Sequence, residues 1–437
     1  MSALDNRTGR HRHRAEPAAV PSRLPGQGQQ QGQGHEHGHG HGHGHGHGHG
    51  PAYPASRRVR MLLVVALVPV ALATLIGLFL TWPGDAPRSK VDVGFGLRPV
   101  QGRVVAAIPA PCTAGNTEGG QAKQCISLNV LLTSGDSPGV TIQQVLPDEP
   151  STPHFTAGDD IVLAYTGGNP SEAESYQVQD FQRGSSMLWL VVLFAAAVLL
   201  IGRWRGLASL LALGFSFLVL AVYLFPAILT GASPVIVGVL AASVIMFGVL
   251  YLTHGVSAQT SSAVLGTVLS LALIGLLGTA FSAATRLTGL DDDTAKLIGI
   301  LGHGIDARGL LLAGMVIGAL GVLDDVTVTQ TSAVWELRRA NPELGFRALY
   351  TSALRIGRDH ISSAVNTLAL AYTGAALPVL LIFALSGQGF GTMVTTQDIA
   401  QEVVRTLVGS IGLVAAVPVT TAIAALVARH DDIEPVG

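Results

Sequence analysis

Long apolar runs recur along the chain at roughly 61–80, 187–203, 206–226, 234–253, 260–282, 309–330, 361–385 and 404–427. Each is about as long as a helix needs to cross a bilayer core of about 30 Å. The pattern therefore predicts a mostly α, polytopic membrane helix bundle of eight spans. Only Gly202-Arg203-Trp204-Arg205-Gly206 separates the second and third runs, which predicts an antiparallel hairpin there.

Between the first two runs the periodicity changes. Short stretches such as PVQGRVVAAI, CISLNVLLT, VTIQQVL and DDIVLAYT are separated by Gly, Pro and Asp. That is strand-and-turn patterning, and it predicts a small β-rich barrel or sandwich over 84–183 without fixing its strand order. Cys112 and Cys125, the only cysteines, fall in this segment. An oxidising compartment would let them close a short loop; the alternative is two unpaired thiols.

Basic residues orient the spans. Arg57, Arg58 and Arg60 precede the first, Arg203 and Arg205 follow the second, and Arg338, Arg339, Arg347, Arg355 and Arg358 lie between the sixth and seventh. With eight spans all three clusters share one side, which predicts cytoplasmic termini and an extracytoplasmic β domain. The loops 226–233 and 386–402 carry no basic residue.

Composition agrees. The chain is 49% hydrophobic and 12% charged, and its net charge of −2 argues against a nucleic-acid partner. Its expected partners are the lipid bilayer, a small solute or ion, and a second copy of itself as a homo-oligomer. Residues 1–60 differ, being rich in Pro, Gln, Gly and Arg with few large apolar side chains. Such a segment cannot offset its ordering entropy and is expected to be a disordered cytoplasmic tail. Residues 429–437 are expected to form a second, short one.

Two acids interrupt the sixth span. On a helical projection Gly314, Gly318, Gly321, Asp325, Thr329, Ser332 and Glu336 fall on one face. The glycines would admit a neighbouring helix, which predicts Asp325 inward and Asp324 at the interface. Counted from Arg308, Asp325 lies roughly 25 Å along the helix, near the inner boundary. Asp359, His360 and Asn366 on the seventh span and His254 at the end of the fourth are expected at a similar level. Intramembrane polar residues of this kind serve ion or proton paths or staple helices together.

At these residues the chain resembles the YibE/F-like family of bacterial multi-pass membrane proteins, in its actinobacterial form. The matching segments are GLLLAGMVIGALGVLDDVTVTQTSAVWEL, LYTSALRIGRDHISSAVNTLALAY and, more weakly, THGVSAQTSSAVLGTV. The resemblance implies a seven-helix membrane domain over about 187–428, and supplies neither a substrate nor a proven site. Where family members often carry a basic residue, this chain has Gln259.

Eight histidines, His35, His37, His39, His41, His43, His45, His47 and His49, alternate in the tail. Neutral imidazoles on flexible spacers can gather a transition metal; the alternative is compositional drift. The literal H-E-x-x-H at His35–His39 lacks the helix that motif needs. No Walker loop or Gly-x-Ser-x-Gly elbow occurs, so no enzyme and no other cofactor is expected. His254, Asp359 and His360 do not have metal-ligand spacing. Two functions remain: a secondary transporter or permease using the polar seam of spans six and seven, or a non-transporting scaffold or sensor acting through the β domain.

Overall fold

The computed structural model describes residues 56–84, 97–112, 124–301, 305–387 and 389–430. The histidine tract, all but the last five residues of the predicted N-terminal tail, and the C-terminal residues after His430 lie outside them.

Helix α1 (Arg57–Leu80) begins at Ser56, whose side chain accepts a hydrogen bond from the Val59 amide. The β domain follows, with β1 (Arg98–Pro111), β2 (Gln124–Leu132), β3 (Thr141–Pro147), β4 (Asp160–Tyr165) and β5 (Tyr176–Phe181). All neighbours pair antiparallel, in the order β3-β2-β1-β4-β5. Alternation buries Val100, Val104, Leu128, Val130, Ile142, Ile161 and Leu163 on one face, with Phe155 and Tyr176.

A bulge after Val104 bends β1, and the sheet curls into a half-barrel. Its two edges meet through Gln144 of β3, whose Nε2 donates to the carbonyls of Ala173 (2.5 Å) and Tyr176 (3.1 Å). Cys112 and Cys125 form a disulfide with Cα atoms 5.2 Å apart, tying the end of β1 to the start of β2.

Among the described residues six helices are long and apolar enough to cross a membrane, or seven if one bent pair is a single span. They include α1, α4 (Pro234–His254), α5 (Ala258–Ala284), α7 (Ala307–Ala340) and α11 (Gln397–Arg429). The sixth is one stretch, Gly184–Leu229, made of α2 (Gly184–Val219), a π turn and α3 (Phe225–Leu229). It is not straight: Arg203 has φ 50° and ψ −127°, incompatible with a continuing helix. Gly206 lies against the carbonyl of Val198, eight residues earlier. A straight helix would separate those residues by about 12 Å. A Cβ at Gly206 would collide with that backbone.

The bent pair is α8 (Phe346–Ala375) and α9 (Leu377–Leu385), joined at 62°. The predicted span 361–385 therefore differs from the structure, where the helix starts at Phe346 and breaks before Pro378. Proline lacks the amide that would continue the ladder and crowds the preceding turn. Two short helices, α6 (Asp292–Leu301) and α10 (Phe390–Val394), lie between the long ones.

Helix α7 is the centre of the bundle, packed by α4, α5, α8 and α11, while α5 and α11 also pack on each other. Close approaches use glycine: Gly238 of α4 sits against Ala313, and Gly412 of α11 against Ile274.

Candidate functional site: a polar layer inside the bundle

The polar residues enclosed in the bundle lie mainly on α5, α7 and α11. Thr267 of α5 and Thr327 of α7 are both 0% exposed, and their hydroxyls meet at 2.9 Å. Thr267 also bonds the Ala263 carbonyl, the usual way a helical threonine satisfies its hydrogen in an apolar setting. One turn inward, Gln330 is likewise 0% exposed. Its Oε1 lies 2.9 Å from Thr421 Oγ1, and the Thr421 hydroxyl lies 2.6 Å from the Val417 carbonyl.

A hydroxyl has one hydrogen and cannot serve both acceptors fully. Turning the amide over would let Gln330 donate to Thr421 while Thr421 serves Val417. The other end of the amide, Nε2, is enclosed without a hydrogen-bond partner. That end faces Gly357 of α8, where a Cβ would come within 2.6 Å of it. The Thr420 hydroxyl, packed beside Gly266 of α5, is also enclosed and unpartnered. Glycines 266 and 357 thus let helices close around polar groups.

Nearer the inner end, Gln259 Nε2 donates to Ser332 Oγ at 2.9 Å. Gln259 therefore joins α5 to α7 by a neutral hydrogen bond.

The structure reverses the expected roles of the two faces of α7. Gly314, Gly318 and Gly321 are exposed, and a Cβ at Gly314 or Gly321 would touch nothing within 4 Å; only the Tyr372 hydroxyl approaches Gly318. The buried face runs instead through Leu312, Val316, Leu320, Leu323, Thr327, Gln330 and Val334. Larger side chains there fill the volume between α4, α5 and α11, which glycine cannot do.

Asp325 accordingly points outward, its side chain 73% exposed. Asp324 turns inward, half-buried, with its Oδ1 fully enclosed and without a hydrogen-bond partner. The order predicted for the two acids is corrected: Asp324 is the inner one.

Of the other predicted residues, His360 does meet Asp325, with Nε2 3.5 Å from Oδ2, joining α8 to α7. Thr329 is half-buried, and Asp359 and Asn366 are exposed. Glu336 is exposed and pairs with Arg339 at 2.9 Å. His254 is exposed at the end of α4, its Nδ1 2.7 Å from Thr253 Oγ1. Among the described residues no group of three or more His, Cys, Asp or Glu side chains stands close enough to hold a metal. The eight tail histidines lie outside those residues.

The missed residues leave a faint trace in sequence. Ser262, Gly266 and Ser270 repeat at four-residue spacing on α5, and Thr420-Thr421 follow Pro418 on α11. Small and hydroxylated residues hardly lower a hydropathy average, so they read as ordinary span.

In the β domain the electrostatics are peripheral. Arg103 Nε donates to Asp160 at 2.7 Å, holding that carboxyl below its ordinary range. Burial pushes the Tyr176 phenol up. His154 lies 3.5 Å from Asp148 on the surface. On the loop before α7, Asp291 caps α6 through the Thr294 amide, and Asp293 pairs with Lys296.

The apolar helices and the enclosed polar layer define a membrane helix bundle carrying a small β domain. A family model described as YibE/F-like protein matches residues 190–430, more than half of the chain. The chain belongs to the YibE/F-like family. No curated protein matches it significantly. No solved structure does either.

Proposed function

We propose that this protein is a secondary transporter of the bacterial cell membrane that moves a small solute or ion along the layer between α5, α7 and α11. One observation carries the reading: Gln330 is wholly enclosed at the bundle centre with one end of its amide unpartnered. A hydrogen-bonded staple between membrane helices contributes about 0.6 kcal/mol. An unsatisfied buried polar group costs about 1–3 kcal/mol. A staple alone is therefore a poor account of this residue, whereas a path that receives a passing polar group is a good one. No bond-making chemistry is involved.

The topology supporting the proposal has eight crossings. The 46 residues of Gly184–Leu229 would extend about 69 Å if straight, more than twice a bilayer core. The reversal at Arg203 favours two crossings, and α8 with α9 supplies one more. Both termini are then cytoplasmic and the β domain is outside, where its disulfide is at home.

The test is flux across liposomes holding the purified full chain, over a broad panel of solutes and ions, with wild type beside Gln330→Leu. Flux in the wild type that falls at least tenfold in a folded variant is the expected result. A folded wild type with no flux anywhere in the panel would favour the second reading, a scaffold or sensor. That reading draws on the separate core and edge closure of the β domain. Under it, deleting 98–181 would abolish the cellular phenotype while the bundle stays folded.

A further inference from the structure

We infer that Asp324 is a proton-binding carboxylate inside the bundle, so that the ion exchanged at the polar layer is H⁺. This rests on the transporter reading for its role in a cycle, and on geometry alone for the binding itself.

Depth comes first. Asp324 is 16 residues past Arg308 and 14 before Arg338 on one continuous helix. At 1.5 Å per residue those arginines are roughly 45 Å apart, close to the full thickness of a bilayer with its headgroup layers. With Arg308 at the outer surface, Asp324 is about 24 Å along the helix, in the inner half of the span. An ionised carboxylate there is costly, and such residues mark ion and proton routes.

Among the described residues no Lys, Arg or His side chain forms an ion pair with Asp324. Helix α5 carries no titratable side chain along its whole length, and α4 carries only Tyr251 and the exposed His254 at its inner end. On α7 the next acid, Asp325, faces outward toward His360 of α8. Tyr372 of α8 lies toward Gly318, and Arg355, Arg358 and Asp359 of α8 are exposed. Glu402 and Arg405 of α11 are paired with each other. A carboxylate oxygen enclosed without partner or cation is satisfied by gaining a hydrogen.

The neighbouring groups continue inward as hydroxyls and an amide. Thr327 Oγ1 donates to the backbone carbonyl of Asp324 at 3.3 Å, not to its carboxylate, and meets Thr267; Gln330 and Thr421 lie a turn further. A metal cation would need several oxygens converging on one point. A proton needs only Asp324 Oδ1, which is enclosed without a hydrogen-bond partner.

The direct test reads protonation without transport. Infrared difference spectra of the full chain in lipid nanodiscs, taken across a pH series, should show a protonated-carboxyl band that disappears in Asp324→Asn and persists in Asp325→Asn. Replacing sodium by choline at fixed pH should leave the band unchanged. In wild type, a hydrophobic carbodiimide should modify Asp324, located by peptide mass spectrometry, which covers the case in which Asp324→Asn fails to fold. A band that survives Asp324→Asn, a band that sodium abolishes, or an adduct found only on Asp325 would overturn the inference. A titrating Asp324 in a protein with no flux would instead sink the transporter reading and leave proton binding standing.

Discussion

The β domain and the helix bundle bury different things. The core of the half-barrel is aliphatic and aromatic, with Ser127 and Ser175 the only enclosed polar residues among those described, and its ion pairs stand at the surface. The bundle encloses Thr260, Ser262, Thr267, Ser270, Ser282, Thr327, Gln330, Thr331, Gln401, Thr420 and Thr421. Water rewards the first arrangement, because removing apolar surface from it drives folding. Lipid gives no comparable reward for hiding apolar side chains, so close packing and polar contacts must hold helices together. Polar groups inside the bundle are thus partly expected, and the ones that matter are those left unsatisfied.

That contrast can be broken by mutation. The largest stability effect is expected in the β domain: Leu163→Ala removes a side chain that is 0% exposed, at about 2–5 kcal/mol. Hydrogen exchange of the full chain should show protection lost across β1–β5 and kept in α5, α7 and α11. Loss in both regions would mean they fold as one unit. Replacing Cys112 and Cys125 by serine opens a 13-residue separation and should cost about 3 kcal/mol, again confined to the domain.

Thr327→Val is the opposite case. It keeps shape and removes one interhelical hydrogen bond, so the bundle should lose only about 0.6 kcal/mol. Transport, measured in the same preparation, should fall much further than stability. A drop in thermal stability that accounts for the lost flux would return this pair to a plain staple.

The smallest effect is electrostatic. Arg103 lowers the folded-state pKa of Asp160, so the pair stabilises the domain above the ordinary carboxylate pKa. Its contribution goes as pH falls through the lowered folded value. Both side chains are exposed, so the change should be slight and weaker still in high salt. Exchange rates at β1 and β4 amides between neutral and acid pH would show it.

Sequence carried some of these features and hid others for physical reasons. Strands β1–β4 were legible because alternation against water is a strong signal. β5, with the sequence Tyr176-Gln177-Val178-Gln179-Asp180-Phe181, was missed because its alternating residues are largely polar. Apolar length marked the long helices, six of which, or seven with the bent pair, are long and apolar enough to cross a membrane among the described residues, against eight expected runs. It did not mark the break before Pro378, which sits inside a run that stays apolar on both sides.

The face of α7 was misread for a deeper reason. Where lipid and core are equally apolar, a glycine stripe with an acid looks like an interface, and a mixed stripe of Leu, Thr and Gln looks like a surface. Only the positions of α4, α5 and α11 decide between them. The same ambiguity placed Asp325 inward and Asp324 at the interface.

The account's central claim is that the inner face of α7, not its glycine face, carries the path. Flux in liposomes containing Asp324→Asn, measured beside Asp325→Asn and wild type at matched folded protein, tests it most directly. Flux lost with Asp324→Asn and retained with Asp325→Asn is the predicted result. Flux retained with Asp324→Asn and lost with Asp325→Asn would contradict it and move the path to the exposed groove between α7 and α8.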